Sequence, residues 1–295
     1  MLENLSTEKR NEKTTSLDTL TVKEALQIMN EEDAKVPVAI ASNLVSIETV
    51  INGVIESFKK GGRLIYLGAG TSGRLGVLDA AECVPTFGVP ATMVVGLIAG
   101  GEKAFLQAVE GAEDSALFGK EDLQSISLTA NDFVLGIAAS GRTPYVIGAL
   151  DYAKEVGAKT GALSCNTNAA ISAHADTAIE VDCGPEILTG STRLKAGTAQ
   201  KLVLNMISTV SMIGIGKVYK NLMVDVMPTN EKLVERSKRI IMEATECDYE
   251  TAEQHFELAG QHVKTAIVMI LTNSDLATAT EKLASADGFI RRTLD

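Results

Sequence analysis

Five short apolar segments, most of them separated by helical stretches, constrain the fold of this chain more than any other feature of its sequence. They read "RLIYLGA", "ATMVVGLI", "DFVLGIAAS", "KTGALSC" and "TAIEVDC", and they are continuous runs rather than alternations of apolar and polar residues. Strands of this kind are buried on both faces, as in a parallel sheet covered by helices. We therefore predict an α/β fold with a three-layer, doubly wound sheet of five parallel strands.

Helical segments flank the predicted sheet on both sides in the sequence. The stretch before it is helical in period and ends at the glycine pair 61–62, and the stretch 194–219 fits one long helix capped by Ser191 or Thr192. Short helical pieces follow from about residue 240, where 10 acidic and 4 basic residues suggest a small three-helix appendage. We predict three domains: N-terminal helices over 1–60 that pack on the core, the sheet domain over 61–239, and a small helical C-terminal domain over 240–295.

The net charge and the terminal segments limit the partners of the protein. The 295 residues carry a net charge of -11, which argues against a nucleic-acid partner or an anionic membrane surface. The N-terminus lacks the apolar core of a signal peptide, and the run "TAIVMIL" is too short to span a bilayer. The four cysteines show no C-x-x-C spacing, and the three histidines show no metal-ligand spacing. We expect a cytoplasmic protein with reduced thiols, no metal, no cofactor, and neither nucleic acid nor membrane as partner.

A glycine-rich turn follows the first predicted strand in "YLGAGTSGRL". Its G-x-G-x-x-G pattern is that of a dinucleotide-binding loop, but such a site needs an acidic residue at the end of the second strand. That strand ends in "GLIAGG" instead. The hydroxyls and free amides of a helix start suit a phosphate monoester, which offers three oxygens to several donors. We therefore predict a phosphate site rather than an NAD site, formed by Gly70, Thr71, Ser72 and Gly73.

Two further turns carry hydroxyl groups ahead of a helix. In "AASGRTPY" the candidates are Ser140, Gly141 and Thr143, directly after the third strand. In a doubly wound sheet the carboxyl ends of the strands share one edge, where ligands bind. The alternative is that these serines and threonines only cap helices, which is common. In "GPEILTGSTRLKAG" the candidates are Ser191, Thr192 and Lys195.

These motifs together resemble a sugar isomerase (SIS) domain, an α/β fold that binds phosphosugars. Longer segments, among them "GGRLIYLGAGTSGRLGVLDAAEC", "VEGAEDS", "GIAASGRTPYV" and "TGSTRLKAGTAQKLVLNM", resemble the N-acetylmuramic acid 6-phosphate etherases along nearly the whole chain. The resemblance implies a homodimeric, metal-independent carbon–oxygen lyase of cell-wall sugar recycling. Its substrate would be N-acetylmuramate 6-phosphate, and its products would be N-acetylglucosamine 6-phosphate and D-lactate.

An ether of this kind resists direct hydrolysis, but the open-chain aldehyde form of the sugar permits an elimination. A base removes the proton on C2, an acid protonates the ether oxygen on C3, and water then adds at C3; burial would raise the pKa of both groups towards neutrality. The resemblance assigns the two roles to Glu82 and Glu113. From the residues alone, a solvated carboxylate at a helix end is the favoured interpretation of each, and Asp79, Glu110 and Asp114 stay open as alternatives.

One geometric difficulty accompanies this assignment. A helix running unbroken from Ser72 would place Glu82 about 15 Å from the phosphate turn, at 1.5 Å per residue. The reacting carbons of a sugar 6-phosphate lie closer to their phosphate than that. We expect the helix to end early or bend near Gly73 and Gly76, or Glu82 to serve the pocket of a neighbouring subunit.

Two other functions share most of these features. A phosphosugar isomerase would use the same phosphate turns and the same proton abstraction at C2, but it would release no D-lactate. A non-catalytic phosphosugar sensor would keep Ser72, Ser140 and Thr143 and would not need Glu82.

Overall fold

The five apolar segments form one parallel sheet, which confirms the predicted fold class. The computed structural model of the chain describes residues 5–107, 109–228 and 230–294. All four pairings in the sheet are parallel, with Leu64 opposite both Val94 and Phe133. The strands are β1 (Leu64–Gly68), β2 (Val94–Ile98), β3 (Phe133–Ala138), β4 (Lys159–Ser164) and β5 (Thr177–Glu180), in the order β2-β1-β3-β4-β5.

The helical stretches are more divided than their periodicity suggests. The N-terminal stretch forms three helices, and Pro37 lies in the first turn of the second one. The stretch 101–126 is interrupted at Gly111, whose φ of 75° favours glycine. The helices up to this point and around the sheet are α1 (Val22–Asp33), α2 (Val36–Ala41), α3 (Leu44–Lys59), α4 (Gly70–Phe87), α5 (Lys103–Leu106), α6 (Ala116–Ser125), α7 (Pro144–Val156) and α8 (Lys195–Ile213).

Helices α3 and α7 cover opposite faces of the sheet. A Cβ atom added to Gly53 of α3 would lie 2.6 Å from the ring of Phe133, and one added to Gly136 would lie 2.6 Å from Val146 of α7. Side chains alternate between the two faces of a strand, so positions 133 and 136 of β3 point in opposite directions. The sheet therefore lies between two helical layers, and small residues allow the layers to approach closely.

The packing divides the chain into two compact units. The first comprises the chain up to Ala81 together with Thr92–Ser208, and the second comprises Glu82–Ala91 together with the chain from Thr209 onward. The division falls within α4 and within α8. The predicted boundaries at residues 60 and 239 do not coincide with it, and the division into three domains stays a prediction.

The second unit contains a two-stranded hairpin and four helices around an apolar core that includes Phe256 and Ile267. The predicted long helix over 194–219 is wrong at its C-terminal end, because α8 ends at Ile213 and a glycine with a φ of 79°, Gly216, precedes the hairpin. The predicted three-helix appendage has a fourth helix, which begins before residue 240. The elements are β6 (Val218–Tyr219), β7 (Leu222–Met223), α9 (Glu231–Thr245), α10 (Tyr249–Leu258), α11 (Val263–Thr272) and α12 (Leu276–Ser285).

Within the described ranges, no single helix is both long enough and apolar enough to cross a membrane. One pair among the described residues, Val22–Ala41 and Leu44–Lys59, reaches that length and composition when the two segments are counted together, and they are bent by 63° relative to each other.

Candidate functional site

The strand order places a crevice between β1 and β3. These two strands are neighbours, with Gly68 opposite Ile137, while the chain leaves β1 towards β2 and leaves β3 towards β4 on the other side. In open α/β sheets, ligands bind outside the carboxyl ends of the strands at such a switch point. The two predicted phosphate turns, after β1 and after β3, both lie there.

The first turn brings the start of α4 very close to β1. Gly70 has a φ of 53° and begins α4. A Cβ atom on Gly73 would lie 2.5 Å from the carbonyl oxygen of Gly68, so only glycine permits this approach. The first amides of a helix have no partners within the helix, and its dipole favours an anion. The hydroxyl of Thr71 has no hydrogen-bond partner in the described part of the chain, whereas the Ser72 hydroxyl donates to Oε1 of Gln200 at 3.0 Å.

The second turn leaves its hydroxyls unengaged. Gly141 has a φ of 70°, and a Cβ atom there would lie 2.4 Å from that of Ala169. Thr143 precedes α7, but its side chain makes no capping hydrogen bond. Neither Ser140 nor Thr143 has a side-chain partner among residues 5–107, 109–228 and 230–294, so helix capping does not account for these hydroxyls.

The third turn differs from the prediction, because a carboxylate already occupies the start of α8. The Glu186 carboxylate accepts the backbone N–H groups of Lys195 at 3.0 Å and Ala196 at 2.9 Å. Burial raises the pKa of Glu186, while these hydrogen bonds and Lys195 oppose the rise. The predicted cap at Ser191 or Thr192 is wrong, because in the described part of the chain neither side chain bonds the start of the helix. An anion at this helix end would have to compete with Glu186.

Lys195 points into the first unit rather than into the open crevice. Its side chain is 1% exposed and lies 2.7 Å from the equally buried Glu32 of α1. The Nζ atom of Lys35 also lies 2.6 Å from the Glu32 carboxylate. The ammonium group of Lys195 thus already has Glu32 as its partner in the chain. A role for Lys195 in binding substrate stays a prediction.

A cleft of about 280 Å³ adjoins the first turn and contains one of the predicted catalytic residues. Its lining includes Gly70, Arg74, Glu110 and Glu113. The Arg74 guanidinium donates to the carbonyl oxygens of Ala104 at 2.8 Å and of the following residue at 2.9 Å. The cleft thus joins the start of α4 to two exposed carboxylates and one cation.

A larger groove of about 710 Å³ lies at the opposite edge of the sheet. It is lined by residues at the amino ends of β3, β4 and β5, such as Phe133, Lys159 and Thr177. Because ligands of doubly wound sheets bind at the carboxyl ends, the smaller cleft is the candidate functional site.

Glu82 lies on an unbroken helix. The expectation that this helix ends early is wrong, since α4 runs from Gly70 to Phe87. Gly76 packs against β1, where a Cβ atom would lie 2.9 Å from that of Tyr66. The distance from the first turn of α4 to Glu82 is about 15 Å along the helix axis. Glu82 and Glu113 are both exposed, so the burial that the proposed chemistry requires is not present in the single chain.

Among the alternative carboxylates, Asp79 is fully engaged. It accepts hydrogen bonds from Tyr66 at 2.9 Å, Asn205 at 2.7 Å and Ser208 at 3.2 Å, and it is 7% exposed. A carboxylate with three donors holds helices and sheet together. Glu110 shares the cleft with Glu113, and Asp114 is exposed.

No group of three or more His, Cys, Asp or Glu side chains is placed to hold a metal ion in the parts of the chain that the structure describes.

Comparison with known proteins identifies the family. The chain is 74% identical over 294 residues to the N-acetylmuramic acid 6-phosphate etherase of Listeria monocytogenes serotype 4b, covering 100% of this chain and 99% of the relative. It is 69% identical over the same shares to the etherase of Lactococcus lactis subsp. cremoris. The chain belongs to the N-acetylmuramic acid 6-phosphate etherase family. Two domain models also match, the glucokinase regulatory protein N-terminal SIS domain over residues 46–154 and the SIS domain over residues 119–210.

Among solved structures, a phosphoheptose isomerase from Francisella tularensis superimposes with a TM-score of 0.51 at 15% identity. The match covers 64% of this chain and 100% of that chain. At this identity the likeness shows the fold alone, and it confirms the predicted SIS architecture.

Sequence reasoning missed three residues that the structure brings to the site region. Gln200 lies far along the chain from Ser72, and Glu32 lies far from Lys195, so no local pattern marks either contact. Arg74 directly follows the glycine-rich turn, where a cation beside a predicted anion site could have been noticed. Side chains that act through contacts between distant helices leave no short-range signal in a sequence.

Proposed function

We propose that this chain cleaves the D-lactyl ether of N-acetylmuramate 6-phosphate, giving N-acetylglucosamine 6-phosphate and D-lactate. The observation that carries the proposal is 74% identity over the full chain to a relative that bears the etherase name. The geometry supports it, because a phosphate-type helix start and Glu113 share one cleft. We place the enzyme in the cytoplasm, without nucleic-acid or membrane partners.

The reaction proceeds through the open-chain aldehyde. A base takes the proton from C2, the electrons of the broken C–H bond form a C2–C3 double bond, and the C3–O bond breaks. The ether oxygen leaves with D-lactate and takes up a proton from an acid. Water then adds at C3 and a proton returns to C2, which restores the sugar skeleton. These steps consume one water molecule, and they involve no net oxidation or reduction.

In this scheme the phosphate binds at the two turns after β1 and β3. The backbone amides at the start of α4 face the anion, and the unengaged hydroxyls of Thr71, Ser140 and Thr143 are free to donate to its oxygens. Glu82 exchanges the proton at C2, and Glu113 serves the ether oxygen or the attacking water.

The lactyl carboxylate gives Arg74 a function. This carboxylate is bonded to the carbon that carries the ether oxygen, so its partner must lie in the same cleft as the acid that protonates that oxygen. Arg74 lines the cleft with Glu113, and its Nη1 atom has no partner among the described residues. An isomerase substrate has no such carboxylate, so this cation favours the etherase over the isomerase.

We propose that the enzyme is a homodimer in which Glu82 acts in the site of the second copy. The support is the unbroken α4, which carries Glu82 about 15 Å from the phosphate turn of its own chain. A second copy packed over the cleft would also bury the two glutamates, as the chemistry requires.

Release of D-lactate from N-acetylmuramate 6-phosphate tests the activity itself. Mixing two inactive variants, Glu82→Gln and Glu113→Gln, tests the shared site. If the two residues come from different copies, a random mixture recovers up to about a quarter of wild-type activity, because half the dimers are mixed and each holds one intact site. Homogeneous preparations of either variant stay inactive and serve as the control. No recovery on mixing, with mixed dimers shown by tag pull-down, would place both residues on one chain.

A further inference from the structure

Gln200 carries a buried hydrogen-bond donor that has no partner. This residue lies in the second turn of α8 and is 0% exposed. Its Oε1 atom accepts the Ser72 hydroxyl at 3.0 Å, but its Nε2 atom bonds nothing among the described residues. Buried amide donors are nearly always satisfied, and an unsatisfied one destabilises the folded protein. A side chain kept in this state calls for an explanation.

The two ends of the amide can exchange places. A half-turn about its last torsion brings Nε2 to the Ser72 hydroxyl oxygen and leaves Oε1 without a partner. An unpartnered buried carbonyl oxygen is tolerated more readily than an unpartnered N–H group. The second arrangement also changes the hydrogen-bonding role of the Ser72 hydroxyl. Its oxygen then accepts a hydrogen bond from Gln200, and its own proton is free to be donated to another group.

The direction of that single proton decides what Ser72 can bind. A hydroxyl has one proton to donate, and in the observed arrangement Gln200 receives it. Ser72 lies in the first turn of α4, where free amides and the helix dipole favour an anion. A phosphate oxygen is a stronger acceptor than an amide oxygen, so a bound phosphate competes for the proton.

We propose that Gln200 is a positioning residue that turns its amide over when a phosphate monoester binds, donating to Ser72 and directing the Ser72 proton at the anion. Gln200 does not touch the phosphate in this arrangement and acts through Ser72. The inference rests on the proposed function only in identifying the anion as the phosphate of the substrate. It explains why a fully buried position in an apolar helix face holds an amide.

A double-mutant cycle with inorganic phosphate as the probe tests the coupling. Phosphate binding is measured by titration calorimetry for wild type, Ser72→Ala, Gln200→Met, Gln200→Glu and the double variants. Ser72→Ala should lower phosphate affinity about 10-fold in the wild-type background, the loss of one charge-assisted hydrogen bond. In the Gln200→Glu background the same change should cost about 2-fold or less, because a buried carboxylate accepts the Ser72 proton and withholds it from the phosphate. In the Gln200→Met background the cost should be smaller than in the wild type, because no donor at position 200 holds the hydroxyl in the orientation that faces the anion.

The thermal stability of Gln200→Met and a control variant at Ser211 distinguish a positioning role of Gln200 from a packing role. Gln200→Met removes the unsatisfied donor at similar volume, so its thermal midpoint should be no lower than that of the wild type while its phosphate affinity falls. Ser211 of the same helix also has an unpartnered buried hydroxyl among the described residues. Ser211→Ala should leave phosphate affinity unchanged and keep the full effect of Ser72→Ala.

Ser72→Ala costing the same factor in all backgrounds would overturn the proposal. So would a Gln200→Met variant that binds phosphate as tightly as the wild type. The experiment requires no ether cleavage. If the effects of Ser72 and Gln200 on phosphate affinity are coupled but no D-lactate is released, only the proposed function is refuted. If D-lactate is released but the two effects on phosphate affinity are additive, only the role of Gln200 is refuted.

Discussion

Replacing Glu32 by Gln should destabilise the protein strongly, although Glu32 is on none of the predicted phosphate turns. Glu32 and Lys195 are each 1% exposed, and their charged atoms lie 2.7 Å apart. Burial disfavours the ionised carboxylate, but hydrogen bonds from Lys195 and Lys35 outweigh it and lower the pKa of Glu32 to about 2. Removing the carboxylate charge leaves the buried ammonium of Lys195 uncompensated.

The lowered pKa gives the size of the effect. The difference between the ordinary value of 4.5 and about 2 corresponds to roughly 3 kcal/mol of stability at neutral pH. Loss of one partner of a buried pair costs about 3–5 kcal/mol, which agrees. Because the pKa is lower in the folded state, this stability is fully present above about pH 4.5 and is lost as the pH falls towards 2.

Urea denaturation at neutral pH, followed by circular dichroism, measures the loss in the free energy of unfolding. The same measurement over a series of pH values shows whether the loss comes from the ionised carboxylate of Glu32. Glu32→Gln should lose about 3 kcal/mol at pH 7 and should show a flatter decline of stability between pH 5 and pH 2 than the wild type. Glu56 is the matched control, since it also pairs with two lysines, Lys60 and Lys159, but is 46% exposed. Glu56→Gln should change stability little. A Glu32→Gln variant as stable as Glu56→Gln would refute the reasoning.

Two further predictions concern the cleft and the chemistry. Arg74→Met should weaken binding of N-acetylmuramate 6-phosphate by about 10-fold or more. It should weaken binding of N-acetylglucosamine 6-phosphate, which lacks the lactyl carboxylate, far less. Equal losses of affinity for both ligands in calorimetric titrations would show that Arg74 does not recognise the carboxylate. Activity should survive exhaustive treatment with EDTA, because the proposed steps need only carboxylates; activity lost on treatment and restored by a divalent ion would contradict this.

The sheet and its ligand edge follow from the sequence because they depend on local patterns. Continuous apolar runs such as "DFVLGIAAS" identify buried parallel strands, and the order of strands and helices then locates the carboxyl edge. The glycine-rich turn after β1 was recognisable for the same reason, since Gly70 and Gly73 satisfy backbone requirements within a few residues.

The contacts between distant segments were not predictable in this way. Ser191 and Thr192, just before α8, suggested a local cap, yet the start of α8 is bonded by the carboxylate of Glu186, nine residues before Lys195. Lys195 was a candidate for substrate binding from its place in the third turn, but in the chain its ammonium group bonds Glu32, 163 residues away in the sequence. Which of several possible partners a charged side chain selects depends on the tertiary packing, and composition and periodicity do not encode it.

Isotope labelling in the products tests the central claim, elimination followed by hydration, most directly. In 18O-labelled water the label should enter the C3 hydroxyl of N-acetylglucosamine 6-phosphate, while the hydroxyl oxygen of D-lactate stays unlabelled. In D2O the sugar should carry deuterium at C2, and Glu82→Gln should abolish both exchange and turnover, since an amide does not carry that proton at neutral pH. Direct displacement at the lactyl carbon would instead place 18O in the lactate hydroxyl and leave C2 unexchanged, and that result would contradict the account.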